Sequence, residues 1–235
     1  ELRSRHQLHG DLGDDDEPWT TGVRETGASV TAMILVAAGS GSRLAAGVPK
    51  ALVEVGGRSL LQHCLDTAST VERITQIVVV VPAAHLREVS AALAGQAVDV
   101  AAGGDTRDDS VRAGLALITG AEQILVHDAA RPFVPAEVFE RVIDALTDSE
   151  AVIPAVPVVD TIKRVRDGVV IDTPVRDELV AVQTPQGFRA ATLRAAHDGH
   201  DPQVTDDAMR VERAGIAVRV VAGSPQGFKI TTPFD

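Results

Sequence analysis

Several short stretches of the sequence combine small residues with charges in a way that suits a polyphosphate ligand. The first is Ala37-Ala38-Gly39-Ser40-Gly41-Ser42-Arg43-Leu44, followed by Gly47-Val48-Pro49-Lys50. Small side chains let the backbone approach a ligand closely, and successive N–H groups can cradle phosphate oxygens. Arg43 and Lys50 add the positive charge that a triphosphate requires. No Gly-Lys-Ser/Thr follows at P-loop spacing. Leu44 stands where a dinucleotide fingerprint has its third glycine, and no acidic residue lies about 20 positions on. A plain strand–helix connection has no need of two cations beside a run of small residues.

Further stretches carry the remaining chemistry. Gly103-Gly104-Asp105-Thr106-Arg107-Asp108-Asp109-Ser110 exposes backbone groups at its glycines, and Asp108 or Asp109 can equally cap a following helix. His127-Asp128-Ala129-Ala130-Arg131-Pro132 ends an apolar run. A carboxylate there, where phosphates would converge, suits a Mg²⁺ that keeps most of its waters; an Asp128–Arg131 ion pair is the other reading. For His127 a hydrogen-bonded structural role is favoured over proton transfer. Asp160-Thr161-Ile162-Lys163 and Arg176 read by composition as exposed polar positions. Gln183-Thr184-Pro185-Gln186 and Thr205-Asp206-Asp207-Ala208 follow, with Thr205 also readable as a helix cap. Near the end, Phe228-Lys229-Ile230 reads as a short strand whose ammonium either reaches for water or faces a ligand.

The elements that must hold these residues are legible from periodicity. Apolar runs at Met33–Ala37, Ile77–Val81, Val98–Ala101, Ile124–Val126 and Val152–Val156 are short and rich in β-branched residues, as strands buried on both faces are. Amphipathic stretches at Ser59–Ala68, Ala83–Ala94, Asp109–Ile118 and Pro135–Leu146 lie between them. Strand alternating with helix predicts an α/β fold: a Rossmann-like, mostly parallel sheet with helices on both faces. Ligands then bind at the carboxyl ends of the strands, where the stretches above fall. The rhythm breaks at about 157–183, where Thr161–Arg166 and Val169–Ile171 flank an Asp167-Gly168 turn and predict a protruding β-hairpin arm. An isolated hairpin is marginal in water, so the arm is expected to pack on something, a second subunit being one candidate.

Residues 1–29 read as an acidic, disordered tail and 30–235 as a single domain. The first thirty residues carry seven acidic and three basic side chains, a share of about −4 in the chain's formal −11. That charge argues against nucleic-acid and membrane-surface partners, and no stretch approaches the ~18 apolar residues of a transmembrane helix. The single cysteine, Cys64, excludes an internal disulfide and a cysteine-cluster metal site; a reduced, cytoplasmic setting is the expectation.

Taken as a set, Ala-Ala-Gly-Ser-Gly-Ser-Arg with Pro49-Lys50, the Gly103–Ser110 stretch and His127–Pro132 resemble nucleotidyltransferases that activate sugars and polyols. The later motifs narrow the resemblance to the 2-C-methyl-D-erythritol 4-phosphate cytidylyltransferase family of the non-mevalonate isoprenoid pathway, from about Thr31 to the last residue. It implies CTP binding by Ala37, Ala38, Gly39, Ser40, Gly41, Gly104, Asp105, Ser110, Asp128 and Ala129. Arg43, Lys50 and Lys229 would be the catalytic cations, and Asp128 would lie near Mg²⁺ and the ribose. Arg131 and Thr184 would serve the acceptor. Thr161 and Arg176 would hold its phosphate in a neighbouring active site, because in this family the arm crosses a homodimer interface. Two departures stand out: Val36 occupies a position usually held by proline, and the family normally continues past Asp235 into a final helix. The implied reaction is transfer of CMP from CTP to a polyol phosphate. The nearest rival changes only the acceptor, for example to ribitol 5-phosphate. A non-catalytic nucleotide-binding module ranks lower, and an NAD-dependent oxidoreductase fails at Leu44.

Overall fold

Side-chain alternation along the first strand sets the architecture. In the computed structural model, which describes residues 29–39, 49–199, 204–232 and 234–235, that strand is β1 (Thr31–Val36). Ala32 and Ile34 join one apolar cluster, and Met33 and Leu35 join another on the opposite face. All four are fully buried. Each large side chain so buried contributes about 2 kcal/mol, and both faces therefore demand a covering of helices.

The chain continues through β2 (Glu54–Val55), β3 (Arg58–Ser59), α1 (Leu60–Ala68), β4 (Ile74–Val81), α2 (Leu86–Ala92) and β5 (Asp99–Ala102). Next come α3 (Arg107–Leu117), β6 (Gln123–Asp128), α4 (Ala136–Ala145) and β7 (Ala151–Pro157). A hairpin of β8 (Arg164–Arg166) and β9 (Val169–Asp172) precedes β10 (Val180–Val182) and β11 (Gln186–Arg189). The last elements are α5 (Ala190–His197), α6 (Asp207–Arg213) and β12 (Val218–Ala222). The main sheet runs β5-β4-β1-β6-β11-β7-β10, with β12 also paired to β7. Pairing is parallel from β5 to β6 and antiparallel where β11 wedges between β6 and β7. Residues from α1, α2 and α4 cover one face, and residues from α3, α5 and α6 cover the other.

The expected α/β architecture is present, and the arm lies where the Asp-Gly turn put it. Asp167 and Gly168 take φ of 50° and 78°, the primed turn that matches the twist of a two-residue hairpin. β8 and β9 form a sheet of their own, and every residue in them is exposed. Residues 1–28 of the expected tail lie outside the described residues. Among the described residues no helix is long and apolar enough to cross a membrane.

Register fixes where a ligand can sit. Val36 at the end of β1 lies beside Asp128 at the end of β6, and Val81 of β4 beside Ala102 of β5. The loops after β1, β5 and β6 therefore open on the same edge of the sheet. α3 is held on that edge by Gly114, which packs directly on β1. A Cβ at Gly114 would fall 2.7 Å from Ile34 Cγ2 and 3.1 Å from Cγ1, and a β-branched side chain has little rotamer freedom to yield. Gly→Ala inside a helix ordinarily gains up to about 1 kcal/mol; overpacking here costs about 1–3 kcal/mol. Gly114→Ala is thus expected to lower the urea unfolding midpoint at unchanged slope, by about 1 kcal/mol net. A raised midpoint would mean that α3 can move off Ile34 without cost.

Candidate functional site

A cleft of about 380 Å³ lies at this edge, within the usual range for small-ligand sites. Its walls include Ala37, Ala38 and Gly39 after β1, Lys50, Gly104–Thr106 before α3 with Arg107 and Ser110 of α3, Asp128 at the end of β6 with Ala129, and Lys229 with Thr231. Of the residues proposed from sequence, it brings together Ala37, Ala38, Gly39, Lys50, Gly104, Asp105, Ser110, Asp128, Ala129 and Lys229. Ser40, Gly41 and Arg43 lie outside the described residues. Arg131, Thr184, Thr161 and Arg176 are not among the lining residues.

Asp128 is the electrostatic centre. Lys229 Nζ donates to its Oδ2 at 2.7 Å, and Arg107 Nε lies 3.5 Å from its Oδ1. Burial alone would raise the carboxyl, but Arg107 and then Lys229 outweigh it and hold Asp128 well below the usual carboxylate range. The alternative Asp128–Arg131 ion pair is not what forms. The Arg131 guanidinium instead donates to the carbonyls of Gly227 at 2.6 Å and Val182 at 3.0 Å. With the Ile230 N–H bonded to Ala130 O at 2.9 Å, those contacts bracket Lys229 and aim it at Asp128. Lys229 follows the 3₁₀ turn Pro225–Gly227 and lies in no strand, contrary to the expectation.

Thr184 is buried, and its hydroxyl is committed on both sides. It accepts from the Asp128 N–H at 3.1 Å and lies 2.8 Å from His127 Nδ1. His127 Nε2 lies 3.2 Å from Arg131 O. A carbonyl only accepts, so Nε2 carries the proton and Nδ1 accepts from Thr184. Burial pushes the His127 pKa down to about 4, with Asp128 opposing. His127 is thus a neutral, hydrogen-bonded strut, the structural reading favoured from sequence. Thr161 and Arg176 are exposed on the arm, where Arg176 donates to Val159 O at 3.2 Å.

The cap of α3 differs from the expectation. Thr106, not Asp108 or Asp109, is the N-cap, and its hydroxyl accepts from Asp109 N while Asp109 Oδ2 accepts from Thr106 N. Likewise Asp206, not Thr205, caps α6. The sequence reading also missed Arg107, whose Nη1 donates to Asp207 Oδ2 at 2.6 Å. Burial works against the Arg107 charge, yet Asp207 and then Asp128 raise its pKa above the ordinary value. One signal was available: a cation in the first turn of a helix opposes the helix dipole and so needs carboxylates nearby.

Comparisons with known proteins place the chain in a family. The family model of 2-C-methyl-D-erythritol 4-phosphate cytidylyltransferase matches residues 31–235. An enzyme of that name from Rhodococcus jostii is 47% identical over 204 residues, 86% of this chain and 90% of the relative. Its counterpart from Nocardia farcinica is 48% identical over 210 residues, 88% of this chain and 90% of the relative. The crystal structure of 4-diphosphocytidyl-2C-methyl-D-erythritol synthase from Anaerococcus prevotii superposes with a TM-score of 0.79 at 33% identity, covering 88% of this chain and 93% of that one. The cytidylyltransferase structure from Thermus thermophilus gives 0.73 at 34% identity, covering 88% and 94%.

The neutral His127 has a consequence for stability. Its folded pKa of about 4 lies below its ordinary 6.5, so between those values the unfolded chain binds the extra proton. Its contribution is therefore complete above pH ~6.5 and falls as the pH drops towards 4, by about 3 kcal/mol in all. The depressed carboxyls of Asp128 and Asp207 contribute in full above the ordinary carboxylate pKa, and that contribution is lost only as the pH falls below it. Urea midpoints measured from pH 7.5 to 4.5 should fall in the wild type and fall less steeply in His127→Gln. Parallel slopes for the two proteins would mean that His127 does not carry this dependence.

Proposed function

The chain belongs to the 2-C-methyl-D-erythritol 4-phosphate cytidylyltransferase family, and on that premise we propose how its residues divide the work. The reaction transfers CMP from CTP to 2-C-methyl-D-erythritol 4-phosphate, in isoprenoid precursor synthesis. A phosphate oxygen of the acceptor attacks the α-phosphorus of CTP. One P–O bond forms, the bond to the bridging α,β-oxygen breaks, and pyrophosphate leaves. The attacking phosphate is already ionised near neutral pH, so the protein need not remove a proton from it. Catalysis is then positioning and charge stabilisation.

The observation that carries this assignment is the meeting of Ala37–Gly39, Gly104–Arg107, Ser110, Asp128, Lys50 and Lys229 around one cleft. Gly104, Asp105 and Ser110 hold the cytosine end, and Ala37–Gly39 with Ser40 and Gly41 cradle the phosphates. Lys50, Lys229 and Arg43 offset the negative charge growing at the α-phosphate. Arg131 and Thr184 support the acceptor side by holding Lys229 and Asp128 in place.

Mg²⁺ fits this donor set as an ion held mainly by the nucleotide. Among the described residues no group of three or more His, Cys, Asp or Glu side chains can cage a metal. Asp128 is ionised and lines the cleft, as a single carboxylate ligand should. The ion would supply charge neutralisation across the phosphates.

We assign the arm to a homodimer, with Thr161 and Arg176 serving the partner's acceptor site. Support comes from its apolar surface: Val165 and Val169 are 55% and 65% exposed, and a hairpin of this size does not stand alone in water. A cytoplasmic setting suits the single, free thiol of Cys64.

Pyrophosphate release is the direct test, with each of CTP, ATP, UTP and GTP, Mg²⁺, and with or without methylerythritol phosphate. Release is expected with CTP and to depend on that acceptor. Turnover only with another polyol phosphate, such as ribitol 5-phosphate, would change the acceptor, and CTP binding without any turnover would remove the enzymatic reading. Lys50→Ala should lower kcat at least ~100-fold, the size of one lost charge-stabilising donor; near-normal kcat would take Lys50 out of the mechanism. Val165→Asp with Val169→Asp should give a monomer by sedimentation with weakened acceptor turnover. An unchanged dimer would place the interface elsewhere.

A further inference from the structure

Behind the cleft lies a buried charged chain that no step above uses. Arg107, on the cleft wall, grips Asp207 in the first turn of α6 across a separation of 100 residues. Asp207 is 2% exposed, and its other oxygen lies 3.0 Å from His197 Nε2 at the end of α5. The far nitrogen of His197 lies 3.1 Å from Asp108 Oδ1. Arg210 Nη2 reaches the same oxygen at 2.6 Å, and Arg112 Nε donates to Asp108 Oδ2 at 3.1 Å. Burial would raise the Asp207 carboxyl, but Arg107 and then the His197 hydrogen bond lower it, so it stays ionised.

We propose that Asp207 is a positioning residue for the transfer reaction, setting Arg107 at the CTP side of the cleft and keeping it from closing onto Asp128. The geometry leaves Arg107 little choice of place. Its Nη1 is bound at 2.6 Å to a carboxylate that cannot move, since Asp207 is fixed by α6 and by His197. Its Nε is thereby left 3.5 Å from Asp128 Oδ1, without the close hydrogen bond that Lys229 makes to Oδ2 at 2.7 Å. Without the Asp207 charge, Asp128 becomes the only carboxylate among the described residues within ion-pair distance of Arg107. The guanidinium would then move onto Asp128 and take up its Oδ1. Arg107 shares the cleft with Gly104, Asp105 and Ser110, whereas Thr161 and Arg176 stand on the arm. The effect should therefore fall on CTP and not on the acceptor. This inference rests on the cytidylyltransferase reading of the cleft.

The test is a double-mutant cycle in the full chain with Asp207→Asn and Arg107→Met, read as pyrophosphate release, with thermal melting of each variant. Asp207→Asn should raise the KM for CTP at least tenfold while the acceptor KM stays within twofold. The double variant should match Arg107→Met within twofold, because Asp207 acts through Arg107. Asp207→Glu keeps the charge, should recover most of the CTP affinity, and guards against a variant that does not fold. The proposal is overturned if Asp207→Asn loses kcat alone with both KM values unchanged, as a smaller active fraction would give. It is equally overturned if the double variant multiplies the two single losses, or if CTP KM is unchanged in Asp207→Asn or as badly raised in Asp207→Glu. A wild-type protein that releases no pyrophosphate from CTP with the acceptor would instead sink the functional reading beneath it.

Discussion

An ionised carboxylate at the end of a buried strand is the constraint to which the site is built. Asp128 closes β6, a strand buried along its whole length, and the effective penalty for taking such a charge out of water is several kcal/mol. Two cations far apart in the chain answer it. Arg107 comes from the first turn of α3, and Lys229 comes from the segment after β12. Each has its own support: Asp207 for Arg107, and the Arg131 and Ala130 contacts on either side for Lys229. Removing any one of these leaves a charge in the wall of the cleft without its counterweight.

The backbone of the same strand is fixed by a second, neutral set of bonds. His127 points into the core beside Phe139, with ring centroids 5.1 Å apart, while Asp128, one residue on, points to the cleft. The period of two that buries β1 on both faces thus also separates a strut from a charged group within one dipeptide. Thr184 joins the two, since its hydroxyl touches the His127 ring and the Asp128 N–H. On the proposed reading, a site held this way needs little rearrangement when a nucleotide arrives, which is where electrostatic catalysis gains most.

How much of this the sequence announces depends on the range of the interactions involved. The β1, β4, β5, β6 and β7 strands and four of the helices were legible, because burial on both faces writes itself as local apolar runs. The Asp167-Gly168 turn was legible for the same local reason. β11 and β12 were not read: Gln186-Gly187-Phe188-Arg189 has one large apolar residue, and it becomes a strand only because β6 and β7 leave a gap for it. Asp207 was out of reach for a related reason. Nothing near it in sequence reveals that its carboxylate meets an arginine 100 positions earlier. Lys229 could be proposed from sequence, but it lies in no strand; it sits between the Gly227–Arg131 and Ile230–Ala130 contacts.

The cleft also resolves an apparent conflict between an acidic chain and an anionic substrate. The formal charge is −11, yet Lys50, Arg107 and Lys229 stand around one cleft against Asp105 and Asp128. At ~0.15 M salt the Debye length is about 8 Å, so an incoming phosphate responds to the charges of the cleft far more than to those of a distant surface. Locally the balance is positive, and much of that positive charge is already partnered by carboxylate. The pairing matters for chemistry: Lys229 is 44% exposed while hydrogen-bonded to Asp128, so its ammonium stands at the mouth of the cleft in a defined place. On the proposed reading, a phosphate entering there meets a cation whose rotamer is already chosen. The ordering cost falls on folding and not on binding, which is the physical content of preorganisation.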